Sequence, residues 1–460
     1  MKKANPPVKT GDVIEMEITG LSHDGAGVGK YQGFTIFVPQ TVPDEKVRVR
    51  VQVVKKTYGK GEAIQVLKSH PRRTEPPCPI YHECGGCQIQ HLQYPAQLEY
   101  KRQQVADHFE RIGGMQVPVL PVLGMEDPWR YRNKAQVPLG WEDGKVKAGF
   151  YAAGSHRIVD MEACLIQHEA NDQAVRKVKE LARELKTPVY DETKHQGCLR
   201  HVMVRTGFHT GEMMIVLVTN GKKLPHRDKW VEALRKEFPA LKSLIQNINS
   251  KRTNVVLGPE NEVLWGRDFI YDRIGEVTFA ISPHSFFQVN PVQTQVLYDQ
   301  VARYAGLTGH EVVIDAYCGI GTIALYLAQN AKRVYGVEIV PAAVRDAKRN
   351  AKINGMDHVT FETGAAEEVL PRWYKEGIRP DVVVVDPPRK GCDRVLLDTL
   401  VSMQPERLVY VSCNSSTLAR DAKYLAECGY RVQEVQPVDM FPQTGHIENV
   451  AMFKLENYLK

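Results

Sequence analysis

The chain has 460 residues, 43% hydrophobic and 25% charged, an ordinary globular composition too long for one core and suited to about two to four domains. No apolar run nears the roughly 18 residues of a membrane span, and the charged start "MKKANPPVKTGDVIEMEITG" lacks a signal peptide's apolar stretch. The expectation is a cytoplasmic protein with no membrane attachment. The formal net charge of +6 falls entirely within residues 1–74, which hold 13 Lys and Arg against 7 Asp and Glu. A basic leading module on a neutral body suits a polyanionic partner. Charge alone fits a solvated basic surface equally well.

Residues 8–68 read as a small all-β unit. "DVIEMEITG", "FTIFVPQ", "EKVRVRVQVVKK" and "EAIQVL" alternate or are β-branched, with glycine-rich turns such as "HDGAGVGK" between them. The third run predicts Lys46, Arg48 and Arg50 on one face and valines on the other, a pattern found in nucleic-acid-binding barrels. The proline-rich "HPRRTEPPCP" reads as a linker. A central segment follows, with a helix near 95–112 and a meandering sheet built from "CLRHVMVRTG", "EMMIVLVTN", "SLIQNIN" and "TNVVLG". Its stretch "WRYRNKAQVPLG" interleaves Trp129, Arg130, Tyr131, Arg132 and Lys134, which suits stacking on bases and pairing with phosphates. A strand with one exposed face would carry the same residues. From about 285 the pattern becomes strand, glycine turn, helix, which predicts an α/β fold with a doubly wound, mainly parallel sheet. The expected domains are 1–70, 71–280 and 281–460.

Nine cysteines in a cytoplasmic chain argue against a disulfide framework. "CPIYHECGGC" places Cys78, Cys84 and Cys87 in a C-x5-C-x2-C cluster, with Cys164 of "MEACLIQ" as the natural fourth ligand. Four thiolates can hold a zinc ion or a [4Fe–4S] cluster. Cys198 and Cys428 have no partner pattern and read as core residues.

In "VVIDAYCGIGT" a strand ends at Asp315 and turns through Gly319 and Gly321, where a ligand can approach the backbone. Glu338 ends the next strand, placed to accept hydrogen bonds from ribose hydroxyls. The turn lacks the G-x-G-x-x-G spacing of a pyrophosphate seat, so a nucleoside cofactor without phosphates fits better than a dinucleotide. With Asp386 at the end of "VVVVDPPRKG", three strand ends carry acids in the manner of class I S-adenosylmethionine-dependent methyltransferases.

"SFFQVNPVQTQVLY", "DAYCGIGT", "DPPRKG", "VSCN" and "GHIENV" occur in the order found in RNA uracil-5-methyltransferases, and the leading barrel is similar to that family's TRAM domain. The resemblance spans nearly the whole chain. It is strongest to the bacterial ribosomal-RNA branch with an iron–sulfur cluster, in its Gram-positive form acting on 23S rRNA. It implies a class I methyltransferase domain with a TRAM-like barrel and a central α+β iron–sulfur domain. S-adenosylmethionine would be contacted by Gln288, Tyr317, Glu338 and Asp386, and a [4Fe–4S] cluster held by Cys78, Cys84, Cys87 and Cys164. The expected partner is 23S ribosomal RNA, with no obligate protein partner. One position departs from the family: Ser415 stands where proline usually follows "SCN".

The chemistry explains two further residues. Carbon 5 of uracil is a poor nucleophile, and a thiolate adding to carbon 6 turns the ring into an enolate whose carbon 5 can attack a methyl donor. A base must then remove the carbon 5 proton so that the thiol can leave. Cys413, at the tip of the strand "LVYVSCN", is the expected nucleophile, with Cys318 and Cys392 as weaker candidates. Glu448 in "GHIENV" matches the family's base. A tRNA uracil-5-methyltransferase is the alternative within the family. A cytosine-5 methyltransferase is disfavoured by "DPPRKG" and the glutamate, and a non-catalytic ribosome-assembly factor by the retained Cys413 and Glu448.

Overall fold

The computed structural model describes residues 6–142 and 144–456. Strands Val13–Leu21, Gly27–Tyr31, Phe34–Val38, Lys46–Val54 and Tyr58–Lys68 close into a barrel, with the fifth strand between the third and fourth. The period-2 alternation turns Ile14, Met16, Ile18, Val47, Val49 and Val51 inward. Lys46, Arg48 and Arg50 face outward as expected. Part of that charge is already matched, because Glu15 lies 2.8 Å from Arg48 and 3.6 Å from Lys46.

The central sheet has seven strands in the order Glu260–Gly266, Leu241–Ile248, Met213–Thr219, Leu199–Thr206, Lys134–Glu142, Lys145–Tyr151 and Ile158–Asp160. It is not a meander. Met213–Thr219 and Leu241–Ile248 run parallel, so their connection must cross over, and helix Arg227–Glu237 makes it. "TNVVLG" is not a strand either. The Asn249 amide donates to the carbonyls of Val255 and Val256 at 2.7 and 3.0 Å, satisfying that backbone without a ladder. Helices Glu169–Glu184 and Arg227–Glu237 cover one face. The other face contributes Met203, Met214, Val216 and Val218 to a core continuous with the C-terminal region.

That region holds a second seven-stranded sheet, ordered Val359–Thr363, Arg333–Glu338, Val312–Ala316, Val382–Val385, Arg407–Ser412, Glu448–Leu455 and Tyr430–Val438. The first five strands are parallel; Glu448–Leu455 runs antiparallel to its neighbours on both sides, so Tyr430–Val438 at the edge points the same way as the five. This is the class I methyltransferase architecture.

Helix Tyr94–His108, continued by a wider turn through Gly113, lies within the expected central segment but packs on the C-terminal one. Val105 and Phe109 share a core with Leu418 and Ala422 of helix Ser415–Glu427. Its polar side is buried too. Lys101 donates to Asp439 at 2.7 Å with both groups almost wholly buried, Tyr94 reaches Asp439 at 2.9 Å, and Gln97 donates to Gln443 at 2.9 Å. These bonds fix the segment from Asp439 to Gln443 that leads into Glu448.

Candidate active site

The strand register brings the two expected catalytic residues together. Ser412 at the end of its strand pairs with Asn449 on the antiparallel neighbour, so the next residue on each side, Cys413 and Glu448, meets at the sheet's end. The Asn449 amide donates to the Ser412 carbonyl at 3.2 Å. Beyond the thiol, Asn414 caps helix Ser415–Glu427 by accepting from Ser416 N at 3.1 Å, and its amide donates to the Arg389 carbonyl at 3.0 Å. The strand tip is thereby tied to the "DPPRKG" loop. Ser415 occupies the first helical turn, where proline would be pre-organised. Here its hydroxyl lies 2.8 Å from His108 Nδ1, so a hydrogen bond to a neighbouring helix restrains the turn.

Cys413 and Glu448 line a cavity of 530 Å³ together with Gln288, Arg389, Phe441, Thr444 and His446. Burial pushes the Cys413 thiol up to about 11, with the acids Glu448 and Asp386 adding to the shift and Arg389 opposing it. Glu448 is driven well above the usual carboxylate range by burial and by Asp386, and Arg389 again opposes the shift. Burial lifts Asp386 to about 7. Two carboxyls in one dry site cannot both ionise cheaply, so they titrate as a pair. Cys318 and Cys392 are buried elsewhere, at 4% and 7% exposure, and do not line this cavity.

Asp386 holds its proton more tightly in the folded chain than in an unfolded one, where the value is about 3.9. The folded state therefore loses stability as pH rises from about 4 through about 7. Asp386→Asn is expected to stabilise the protein at about pH 8, by up to ~4 kcal/mol at ~1.4 kcal/mol per unit, and to leave it unchanged near pH 4. Thermal unfolding at both pH values checks this, and an equal shift at each would contradict the assignment.

Next to this pair lie the expected cofactor residues. Asp315 is fully buried, neither carboxylate oxygen has a hydrogen-bond partner of ordinary geometry, and burial with Asp386 and Glu338 nearby raises it well above its usual range. Tyr317 and Gly319 take left-handed backbone with φ 68° and 56°. Gly319 N donates to Glu338 Oε2 at 3.2 Å, and Val340 N to Oε1 at 2.9 Å. Gln288 reaches the same cavity from the segment after strand Val277–Ile281. Orphaned acid at the strand ends and a bare left-handed turn suit a cationic nucleoside ligand.

The opposite wall is the cysteine group. Cys78, Cys84, Cys87 and Cys164 all line the cavity that holds Cys413. Burial raises Cys87 to about 12 and Cys164 to about 11, with Cys164, Cys84 and Cys78 adding to the first shift and Cys84 to the second. Among the described residues no three His, Cys, Asp or Glu side chains are arranged around a single metal ion.

The stretch "WRYRNKAQVPLG" divides by role. Arg130 donates to the Cys164 carbonyl at 2.9 Å and to Asp172 at 2.7 Å, and the Tyr131 hydroxyl donates to the Pro442 carbonyl at 2.9 Å. Both are internal struts and not a stacking platform. Arg132, Lys134 and Gln136 do line the cavity, and burial beside Arg205 and Arg132 lowers Lys134 to about 7. Phe286, 66% exposed, forms part of the same wall. Phe286, Arg389 and His446 had no role in the sequence reading, although each sits inside a quoted motif.

The comparisons with known proteins establish the family. Residues 93–455 match the family model described as tRNA (Uracil-5-)-methyltransferase, and residues 7–64 match the TRAM domain. An uncharacterized RNA methyltransferase of Halalkalibacterium halodurans is 57% identical over 99% of this chain and 100% of its own. One from Bacillus cereus is 53% identical over 98% and 99%. Among solved structures, the Pyrococcus abyssi tRNA (uracil-54, C5)-methyltransferase in complex with S-adenosyl-L-homocysteine superposes with a TM-score of 0.78 at 31% identity, covering 96% of this chain and 100% of that one. No helix among the described residues is long and apolar enough to cross a membrane. The chain belongs to the RNA uracil-5-methyltransferase family and carries a TRAM domain ahead of its methyltransferase region.

Proposed function

We propose that the chain methylates carbon 5 of a uridine in 23S rRNA, using S-adenosylmethionine, through a covalent bond between Cys413 and uracil. The observation that carries the chemistry is the meeting of Cys413 and Glu448 in one buried cavity. S-adenosylmethionine, when bound, supplies an electrophilic methyl group and a positive charge. Glu338, Tyr317, Asp386 and Gln288 would hold it, with Asp315 behind the turn.

Cys413 gives up its thiol proton, its Sγ bonds to carbon 6 of the uracil as the thiolate, and the ring's double-bond electrons move toward the carbonyl oxygen. Carbon 5 would then take the methyl group as its bond to the sulfonium sulfur breaks, leaving S-adenosylhomocysteine. Glu448 removes the carbon 5 proton, the double bond re-forms and the Cys413–carbon 6 bond breaks. Glu448 must be ionised to take that proton, and a carboxylate of raised proton affinity is the stronger base once it is. Arg389 is the cation that favours the ionised forms of both groups.

The choice of 23S rRNA rests on the resemblance to the ribosomal branch, of which a cysteine cluster and a TRAM-like barrel are more typical. We assign the four thiols to a [4Fe–4S] cluster in a structural, RNA-positioning role. Anaerobically purified protein is expected to be brown, with about four irons per chain, the complement of a cubane on four thiolates. Replacing Cys78, Cys84, Cys87 or Cys164 by Ala should bleach it. Stoichiometric zinc instead would overturn the cluster and leave the uracil chemistry standing.

A tRNA uridine is the second reading, favoured by the likeness to the Pyrococcus abyssi enzyme. Incubating the purified chain with S-adenosylmethionine and separate transcripts of 23S rRNA and tRNA tests both. 5-Methyluridine in the 23S transcript is expected, and its formation in tRNA alone would overturn the rRNA assignment.

A further inference from the structure

We propose that a second cavity, capped by Trp141 on the central sheet, binds an unpaired nucleobase of the substrate RNA at a distance from the reacting uridine. The proposal rests on the reading of an RNA substrate and adds a specificity site to it. Trp141 lies near the turn of the hairpin formed by Lys134–Glu142 and Lys145–Tyr151, and is 63% exposed. A single exposed aromatic is ordinary. This one forms the rim of a 690 Å³ cavity whose walls include Tyr151, His156, Tyr190, Arg200 and His201.

The floor is built for a polar, planar ligand. Arg200 is 4% exposed, sits 4.3 Å from the centre of the Tyr190 ring, and donates to the carbonyls of Asn249 and Lys251 at 2.6 and 2.8 Å. Its Nε and the buried Nδ1 of His201 have no hydrogen-bond partner. Buried polar atoms without partners carry a desolvation cost that a ligand's hydrogen bonds would remove. Burial and Arg200 hold His201 down to about 4, so its ring is neutral and offers one donor and one acceptor. Such a pair suits the edge of a base.

Phosphate is the poorer occupant. Lys147 is paired with Glu142 at 2.5 Å, Lys194 with Asp191 at 3.4 Å and His156 with Glu192 at 3.0 Å. The charges at the rim are thus largely matched in place, while the exposed Trp141 ring offers a face for stacking, which every base tolerates.

An intervening groove shares lining residues with both this cavity and the catalytic one. The groove, between the barrel and the cysteine loop, shares Tyr151 and His156 with the Trp141 cavity. The same groove shares Cys84, Cys87, Phe150 and His446 with the cavity of Cys413. Barrel residues Asp24, Pro39 and Gln40 line its other side. A single strand leaving the catalytic cavity would pass the barrel and end at Trp141.

Binding of a labelled single-stranded RNA of mixed sequence, roughly 4–16 nucleotides long, to the full chain tests this by fluorescence anisotropy. Trp141→Ala should weaken binding about 5- to 150-fold, the range of one base–aromatic stack. Trp141→Phe should restore it, and neither change should alter S-adenosylhomocysteine affinity. The difference in tryptophan emission between wild type and Trp141→Phe should be quenched by the RNA and not by uridine monophosphate at equal concentration. Equal RNA affinity of Trp141→Ala and wild type would overturn the site, as would quenching by the free nucleotide that RNA does not compete away. A wild-type chain that binds the RNA through Trp141 yet methylates none would instead refute the functional reading.

Discussion

Cys413→Ala is expected to abolish methyl transfer, by a factor on the order of 10⁴ or more, while S-adenosylhomocysteine binds as before. The thiol's neighbours are Glu448, Asp386 and Arg389, whereas the left-handed turn at Tyr317 and Gly319 is held by Glu338. Removing Sγ leaves that turn intact and takes away the atom proposed to raise electron density at carbon 5. The strand tip should also persist, because its bonds run through Ser412, Asn414 and Asn449 and not through the thiol. Single-turnover methylation and calorimetric titration read the two effects separately. Retained activity would point to another nucleophile, and Cys318 could serve only if its buried turn opened.

Glu448→Gln should fail at a later step. Addition and methyl transfer need Cys413, but release needs the carbon 5 proton to leave, and an amide cannot take it. Turnover is expected to fall about 10²–10⁴-fold, the usual worth of a general base. A protein–RNA adduct that survives denaturation should accumulate, already methylated, and be visible as a shifted band and by mass. Normal release of methylated RNA would show that another group, Asp386 being the nearest acid, acts as the base. The isosteric change removes one buried acid of a mutually repelling pair, so loss of folding is not the expected outcome.

Much of this site was legible before the structure because it lies at strand ends. Alternation fixed the faces of Lys46–Val54, and apolar runs stopping at Asp315, Glu338, Asp386 and Cys413 marked one edge of a parallel sheet. The central sheet was harder. Met213–Thr219 is buried at every residue because it is covered on both faces, so its sequence carries no face information and no hint of a parallel partner. Helix Tyr94–His108 falls where the sequence places one, but what it packs against was not legible for a related reason. It buries Gln97 and Lys101 against Gln443 and Asp439, polar partners distant in sequence that no hydrophobic pattern announces.

The most direct measurement is a mass-spectrometric map of 5-methyluridine in cells with and without this gene. Loss of the modification from one or more positions of 23S rRNA, restored by the wild-type gene but not by Cys413→Ala, is the predicted result. An unchanged 23S map, or loss confined to tRNA, would contradict it.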